Sequence, residues 1–303
     1  MKFSKTFFIT FLAFTTTIFA NDLTVNPQQV KREQKQFIRQ LVVQNHFNRA
    51  KLNALFATLH KDPRVISSMT RPFEKQPWTY YRNFFVTPKR VKLGAEYLKD
   101  HHAVLMQMQQ KYGIPASIIT AIIGVETEYG RHLGIYSVLR TLYTLGFYYP
   151  PRETFFRKEL AQYLILTRDN HLNPSELKGS YAGALGIPQF MPSSYRYFGV
   201  AFRGSSVNLF NQNDAIASVA NYFHKNGWLA NKPIARKLHS KNQWINKKIG
   251  TRLAMPLEHS TQYWETYKNF NVIMTYNHNV VYAMAVYQLS KAIQKLSASE
   301  MRK

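Results

Sequence analysis

Glu126 is the residue with the sharpest chemical meaning in this sequence. It follows a run, Ile118 to Val125, that is almost wholly apolar. Ile119, Ile122, Ile123 and Glu126 fall at i, i+3, i+4 and i+7, so on a helix the carboxylate shares the face of the isoleucines. An apolar surround disfavours the charged carboxylate and raises its pKa. A carboxyl that keeps its proton near neutrality is what protonation of a glycosidic oxygen requires. The same pattern also fits a structural Glu held by backbone donors or paired with an arginine, and one stripe does not separate the two. Glu128, two residues on, faces elsewhere.

A second chemical stretch runs Lys178-Gly-Ser-Tyr-Ala-Gly-Ala-Leu-Gly-Ile-Pro-Gln-Phe-Met-Pro-Ser-Ser-Tyr195. Its small residues let backbone approach a ligand closely, while Ser180, Gln189 and the aromatics offer polar and stacking contacts. A tightly packed turn has the same composition. It is not a phosphate loop, because Lys178-Gly179-Ser180 has the wrong order for one. The 10 histidines include no metal-ligand spacing, so no metal is expected, and no Gly-x-Ser-x-Gly elbow supports a serine triad. With no cysteine, disulfides, thiolate zinc sites, a cysteine nucleophile and cysteine-linked lipid are all excluded. Among 19 tyrosines, Tyr222, Tyr276 and Tyr282 sit on or beside helical stripes. Such tyrosines serve either as core residues with a wet tip or as flat walls of a sugar cleft.

The elements that must position these groups read as helices. Phe37, Ile38, Leu41 and Val42 make one stripe. Leu52, Leu55, Phe56 and Leu59 make another behind Asn48 as N-cap, and together they form a small helical lobe. Tyr97 to Lys111 reads as one helix stopped by Gly113. The Glu126 helix starts with Pro115 in its first turn and is ended by Gly130. Further stripes are Phe156, Leu160, Tyr163, Leu164; then Ile216, Val219, Ala220, Phe223, closed by Gly227; then Tyr282, Ala285, Val286, Leu289. Between Trp228 and about Tyr263 periodicity fades and Lys232, Arg236, Lys237, Lys241, Lys247, Lys248 and Arg252 crowd together. That stretch reads as a variable basic lobe with room for short strands.

The whole chain has 303 residues, 45% hydrophobic and 15% aromatic, with 40 Lys+Arg against 16 Asp+Glu and a formal charge of +24. That is long enough for an ample core and too apolar for a disordered basic tail. Met1 to Ala20 opens with Lys2 and Lys5, runs apolar from Phe7 to Phe19 and ends on a small residue, the pattern of an export signal. Its apolar run is short for a membrane span. Removing Lys2 and Lys5 takes off only two of the charges, so the basic character belongs to the folded part. Its partner is then an anionic polymer or surface. Export turns that reading from nucleic acid to cell-envelope polymers or anionic lipid.

At Gly124-Val-Glu-Thr-Glu-Tyr-Gly-Arg131 the chain resembles the membrane-bound lytic murein transglycosylase B family. The likeness extends upstream to Trp78, Tyr81, Arg82 and Val86-Thr87-Pro88. It continues through Thr141-Leu142, Tyr149-Pro150, the Lys178–Tyr195 stretch, Asp214-Ala215-Ile216, Ser218–Phe223, Gly227-Trp228, Tyr276-Asn277-His278 and Tyr282–Val286. The match covers most of Trp78 to Leu289 in order. It implies a mainly α (α+β) protein with a lysozyme-like helical catalytic core, an N-terminal helical lobe and a small basic insertion able to hold strands. It implies an envelope enzyme that cuts the β-1,4 bond after N-acetylmuramic acid in peptidoglycan glycan strands without adding water, leaving a 1,6-anhydro end. Glu126 is then the catalytic carboxyl, acid first and base second. Ser180, Gln189, Tyr222, Tyr276, Asn277 and Tyr282 match family positions lining the saccharide cleft. Arg152 matches a basic position suited to the muramyl peptide's carboxylates, where the family more often has two arginines.

Ordinary glycosidases need a second carboxylate at about 5–5.5 Å or about 6.5–9.5 Å from the first. A single-acid mechanism needs none, and no obvious pair is present. Two departures from the family stand out. Some relatives carry a calcium loop before the Asp214 helix, but here no Asp or Glu lies between Glu176 and Asp214, so no metal and no cofactor are expected. The namesake's lipid is attached through cysteine, so a soluble periplasmic form is expected, held to the anionic envelope surface by charge. The expected division is a signal peptide 1–20, helical lobe 21–75, catalytic core 76–228, basic lobe 229–263 and a returning segment 264–303. The alternatives are a hydrolytic muramidase of similar fold and a non-catalytic peptidoglycan-binding protein; a nucleic-acid binder fits neither the motifs nor export.

Overall fold

The computed structural model describes residues 25–70 and 76–300. The export signal read from Met1 to Ala20 lies outside them. Helices dominate, and local sequence explains where they start. Helix α1 (Pro27–Asn45) has Pro27 at its first position, and the Asn26 side chain accepts from Gln28 N. Helix α2 (Arg49–Ala57) is capped by Asn48, which accepts from Lys51 N at 3.0 Å, as the stripe behind Asn48 predicts. Asp62 caps the short α3 (Pro63–Met69). These three lean on the hairpin of α8 (Val138–Tyr148) and α9 (Glu153–Asp169), where the ring of Phe37 meets Phe56 and Phe147 at 5.9 and 5.8 Å.

The middle of the molecule is built around α7 (Ala116–Thr127). Against it lie α5 (Pro88–Asp100), α6 (His102–Tyr112), α11 (Gln212–Lys225) and the long α13 (Val280–Glu300), which brings the end of the chain back to its centre. Helix α4 (Trp78–Phe85) packs on α13 as well. Ile118, Ile119, Ile122 and Ile123 are almost wholly shielded from water. Each such side chain contributes about 1.5–3 kcal/mol, enough to hold one face of α7 rigid.

Three helix boundaries differ from the sequence expectation. The helix read from Tyr97 to Lys111 is two helices. His101 leaves the helical region (φ −108°, ψ 22°) and serves as the C-cap of α5 and the N-cap of α6. The polar run Lys99-Asp100-His101-His102 gives weak helical support there, so packing decides the break. Pro115 is the N-cap of α7 rather than part of its first turn, and α7 ends at Thr127, with Glu128 and not Gly130 taking the first left-handed conformation.

Strands are few. β1 (Tyr136–Ser137) pairs antiparallel with β2 (Lys178–Gly179), clamping the Lys178–Tyr195 stretch to the chain that follows α7. The two segments touch so closely that a Cβ on Gly134, whose φ is +91°, would lie 2.0 Å from Gly179 O. The basic stretch carries a three-stranded antiparallel sheet in the order β3 (Ala235–Leu238), β5 (Thr261–Thr266), β4 (Thr251–Pro256). Its last strand runs to Thr266, beyond the Tyr263 limit read from periodicity. The remaining helices are α10 (Pro192–Phe198) and α12 (Lys268–Met274). Among the described residues no helix is long and apolar enough to cross a membrane.

Candidate active site

Every residue of α7 is buried except Glu126, which is partly exposed. An otherwise sequestered helix thus offers solvent a single side chain, and that side chain is the carboxylate. Tyr282, on α13 and 2% exposed, donates its hydroxyl to Glu126 Oε1 at 2.5 Å. Two further tyrosines surround it. Burial raises the hydroxyls of Tyr276 and Tyr282 well above the usual tyrosine range, and the charge of Glu126 adds to both. Burial also pushes Tyr222 up to about 12, partly opposed by its bond to Thr275, with Glu126 again adding. Glu126 therefore lies within electrostatic reach of all three rings, and none of them ionises at neutral pH.

The aromatic cluster is itself pinned by hydroxyls. Tyr222 donates to Thr275 O at 2.5 Å and Tyr276 to Pro188 O at 2.6 Å. The Tyr222 ring is enclosed by Phe198 at 4.5 Å, Tyr276 at 4.8 Å and Phe190 at 5.7 Å. Tyr276 keeps a partly exposed side and lies parallel to Tyr282, their planes within 11° and centroids 6.4 Å apart. Asn277 follows it, partly exposed, in the turn between α12 and α13.

The Lys178–Tyr195 stretch forms a chain of tight turns. The Ser180 hydroxyl accepts from Ala182 N and Ala184 N at 3.3 and 3.1 Å, closing a small turn on its own backbone. Leu185 and Phe190 exchange backbone bonds around Gly186–Gln189. Gln189 has φ +51°, unusual for a residue with a side chain, and its amide nitrogen donates to Gly186 O at 2.8 Å and Leu133 O at 3.3 Å. That amide is spent on holding the turn. Arg152 ends a 3-10 turn (Pro150–Arg152) at the head of α9, its guanidinium over the rings of Phe155 and Phe156 at 4.4 and 5.3 Å. Glu159 on the same helix is buried and takes Ser193 N and Oγ at 2.9 and 2.7 Å, which fixes the start of α10. Burial pushes the Glu159 carboxyl up despite those bonds and the nearby Arg152.

Sequence spacing did not reveal what anchors the end of α7. Glu128, Tyr129 and Gly130 have φ of 46°, 64° and 84°, three left-handed residues in succession. For the two that carry side chains this costs about 1–3 kcal/mol each, so something must hold the turn. Thr127 is buried, and its hydroxyl donates to Ile187 O at 2.9 Å and accepts from Gly130 N at 3.0 Å. Tyr129 donates to Arg90 O at 2.7 Å. Glu128 pairs with His132 at 2.9 Å and Lys89 at 3.5 Å. Burial raises its carboxyl, but His132, Lys89 and Arg90 together hold it below the usual range. A buried Thr directly after Glu126 is the only signal the sequence gives of this arrangement.

The loop before α11 is tied by Asp214. Its two carboxylate oxygens accept from Phe202 N and Asn208 N, both at 2.8 Å. The loop itself brings no acidic residue, so one carboxylate with both oxygens already bonded to backbone does not make a calcium donor set. Among the described residues no group of three or more His, Asp or Glu is arranged to share an ion.

With this geometry in hand, the comparisons with known proteins are specific. The family described as Transglycosylase SLT domain matches residues 29–291. The chain is 35% identical over 295 residues to membrane-bound lytic murein transglycosylase B of Escherichia coli (strain K12), covering 86% of this chain and 82% of that protein. The crystal structure of soluble lytic transglycosylase SltB1 from Pseudomonas aeruginosa superposes with a TM-score of 0.81 at 34% identity, covering 88% of this chain and 99% of the other. SltB3 from the same organism, solved in complex with NAG-NAM-pentapeptide, superposes with a TM-score of 0.77 at 26% identity, over 88% and 79% of the two chains. The helical core described above is thus the lysozyme-like fold of the lytic transglycosylases.

Proposed function

Because the chain belongs to the transglycosylase SLT domain family and is a peptidoglycan lytic transglycosylase, we propose that Glu126 carries both proton transfers of its reaction. In the first, the Glu126 carboxyl protonates the glycosidic oxygen between N-acetylmuramic acid and N-acetylglucosamine, and the C1–O bond breaks. In the second, the resulting carboxylate takes the proton of the muramyl 6-hydroxyl as its oxygen bonds to C1. The proton given is recovered, no water is consumed, and a 1,6-anhydromuramyl end remains. One carboxyl suffices, because the nucleophile belongs to the substrate. The observation that carries this reading is the exposure of Glu126 alone on a buried helix, with Tyr282 fixing one of its oxygens.

The remaining site residues are assigned roles from the family positions they match and from their surroundings. Tyr276 offers a ring face to a sugar, with Tyr222 packed behind it. Ser180 and Gln189, their side chains engaged with backbone, shape the turns that present main-chain groups to the glycan. Asn277, partly exposed in the turn before α13, is assigned to an N-acetyl group of the glycan. Arg152 is assigned to a carboxylate of the muramyl peptide. We take the catalytic core as residues 76–228 together with the returning segment 264–303, flanked by the helical lobe 21–75 and the basic lobe 229–263, with β5 crossing from the basic lobe into the returning segment. The relative's name places that protein at a membrane. For this chain, we assign a periplasmic location reached through residues 1–20 and assisted by attraction of its net positive charge to the anionic envelope.

The test is mass spectrometry of muropeptides released from purified sacculi by the parent protein and by Glu126→Gln. Anhydro products from the parent, reduced about 10²–10⁴-fold by the substitution while sacculus binding persists, are the expected result. Reducing-end products one water heavier would assign hydrolysis instead. Release unaffected by the substitution would remove Glu126 from the chemistry.

A further inference from the structure

The basic lobe has a feature that glycan cleavage does not use. Residues 215–257 contain eight lysines and arginines and no Asp or Glu. Among the described residues only Arg236 of this group meets an acid, Glu265 at 2.5 Å. The loop between β3 and β4 carries three of the other seven, Lys241, Lys247 and Lys248, all exposed, and Arg252 is exposed just beyond it.

That same loop presents two bulky apolar side chains to water. Trp244 is 76% exposed and Ile249 65%. The other three tryptophans, Trp78, Trp228 and Trp264, are buried. The loop is not a loose end. Ile245, between the exposed residues, is buried; Ile249 N and Gly250 N both donate to Asn246 O; and the Arg252 guanidinium donates to Gln243 O. The fold therefore holds Trp244 and Ile249 outward, against the hydrophobic effect, on a platform of unpaired cations.

Cations alone would suit any polyanion. An exposed Trp and Ile beside them suit an interface that is apolar beneath and anionic above. Tryptophan favours the headgroup level of a bilayer, and lysines near an anionic leaflet are attracted to its surface. A hydrated anionic glycan accounts for the lysines and leaves Ile249 without a reason.

We propose that the 241–252 loop docks on an anionic phospholipid bilayer, with Trp244 and Ile249 seated among the headgroups and Lys241, Lys247 and Lys248 against the lipid phosphates. This deepens the anionic-envelope reading above and rests on it. Docking keeps the enzyme within reach of the membrane face of its substrate.

The experiment uses the full chain with vesicles of phosphatidylcholine, with and without phosphatidylglycerol, the lipids carrying bromine as a quencher. Residues 1–20 contain no tryptophan, so tryptophan quenching reports on the folded part whatever that segment does. Anionic vesicles are expected to quench a component of the fluorescence that is missing in Trp244→Phe. Affinity is expected to fall about 25-fold in Lys247→Gln/Lys248→Gln, about fivefold per lysine, and to fall also in Trp244→Ser/Ile249→Ser. Muropeptide release from sacculi should be unchanged in these variants, which shows that they fold. Binding to anionic vesicles without Trp244 quenching, and equal in all variants, would overturn the loop while leaving general attraction to anionic surfaces intact. No binding to anionic vesicles would overturn both.

Discussion

Tyr282 shows how one side chain serves packing and chemistry together. Its ring is buried in the stripe of α13 and its hydroxyl donates to Glu126 Oε1 at 2.5 Å. Tyr282→Phe keeps the ring and removes the donor. Hydrogen bonds to charged groups contribute about 1.5–3 kcal/mol. If the bond holds the carboxyl in its working orientation, release of anhydro products slows about 10- to 100-fold, while the melting temperature moves little. An unchanged rate would leave Tyr282 as a packing residue alone. At this scale the sequence is readable where a residue contradicts its neighbours. Glu126 stands out because it shares its face of α7 with Ile119, Ile122 and Ile123. The partnership with Tyr282 does not stand out, because it joins residues 156 positions apart and both sit in stripes that look like core. Gln189 illustrates the converse: its type suggests a ligand contact, yet its amide nitrogen is committed to Gly186 and Leu133.

The elements that place Glu126 are joined by close backbone contacts. The crossing of Gly134 over Gly179 sets the distance between the end of α7 and the Lys178–Tyr195 turns. Gly134→Ala meets two obstacles, a left-handed φ of +91° and a Cβ 2.0 Å from Gly179 O. Strain and overpacking together cost more than about 2 kcal/mol, and a loss of that size lowers the melting temperature by roughly 4–8 °C. Gly204→Ala is the control, since its φ is also positive (+76°) but nothing lies within 4 Å. Thermal unfolding should fall clearly further for Gly134→Ala; equal shifts would mean that the crossing bears no load. Helices of this chain were legible because their stripes are regular and Asn48 and Gly113 mark their ends. The break at His101 was not, because no proline or glycine announces it. Nor was the left-handed turn at Glu128 and Tyr129, where Ile187 (through the hydroxyl of Thr127), Arg90 and Gln212 from elsewhere in the fold supply the support. The sheet of the basic lobe is short, exposes Ala254 and Pro256 while burying Glu265 and Thr266, and is paired out of chain order, which leaves almost no period-two signal.

For the whole molecule the imbalance of charge makes acid the stress to examine. With 40 basic residues against 16 acidic ones, each carboxylate that is protonated adds to self-repulsion. The few acids that are paired therefore matter beyond their own contacts. Glu265, buried in the central strand of the basic lobe, accepts from Tyr267 at 2.7 Å and from Arg236 at 3.0 and 2.5 Å. The Tyr267 bond, with help from Arg236 and against burial, holds its carboxyl below the usual range. Asp62 is lowered in the same direction by the side chain of Arg64, and Glu128 by His132 and Lys89 against burial. A carboxylate whose folded pKa is depressed contributes in full above its unfolded value, near pH 4.3 for a glutamate, and the contribution is lost as pH falls through the folded value. Glu159 acts in the opposite sense, since burial raises it and acid relieves its cost. Three lowered groups against one raised group predict a melting temperature that falls steadily below about pH 5, after a smaller decline through the histidine range, because burial lowers the imidazole of His101. Glu265→Gln removes one of the three. It should melt lower than the parent at pH 7, because Arg236 is left without its acid, and should lose less on going to pH 3. Parallel curves for the two proteins would mean that the acid sensitivity comes from the general excess of positive charge and not from the pairing inside the lobe.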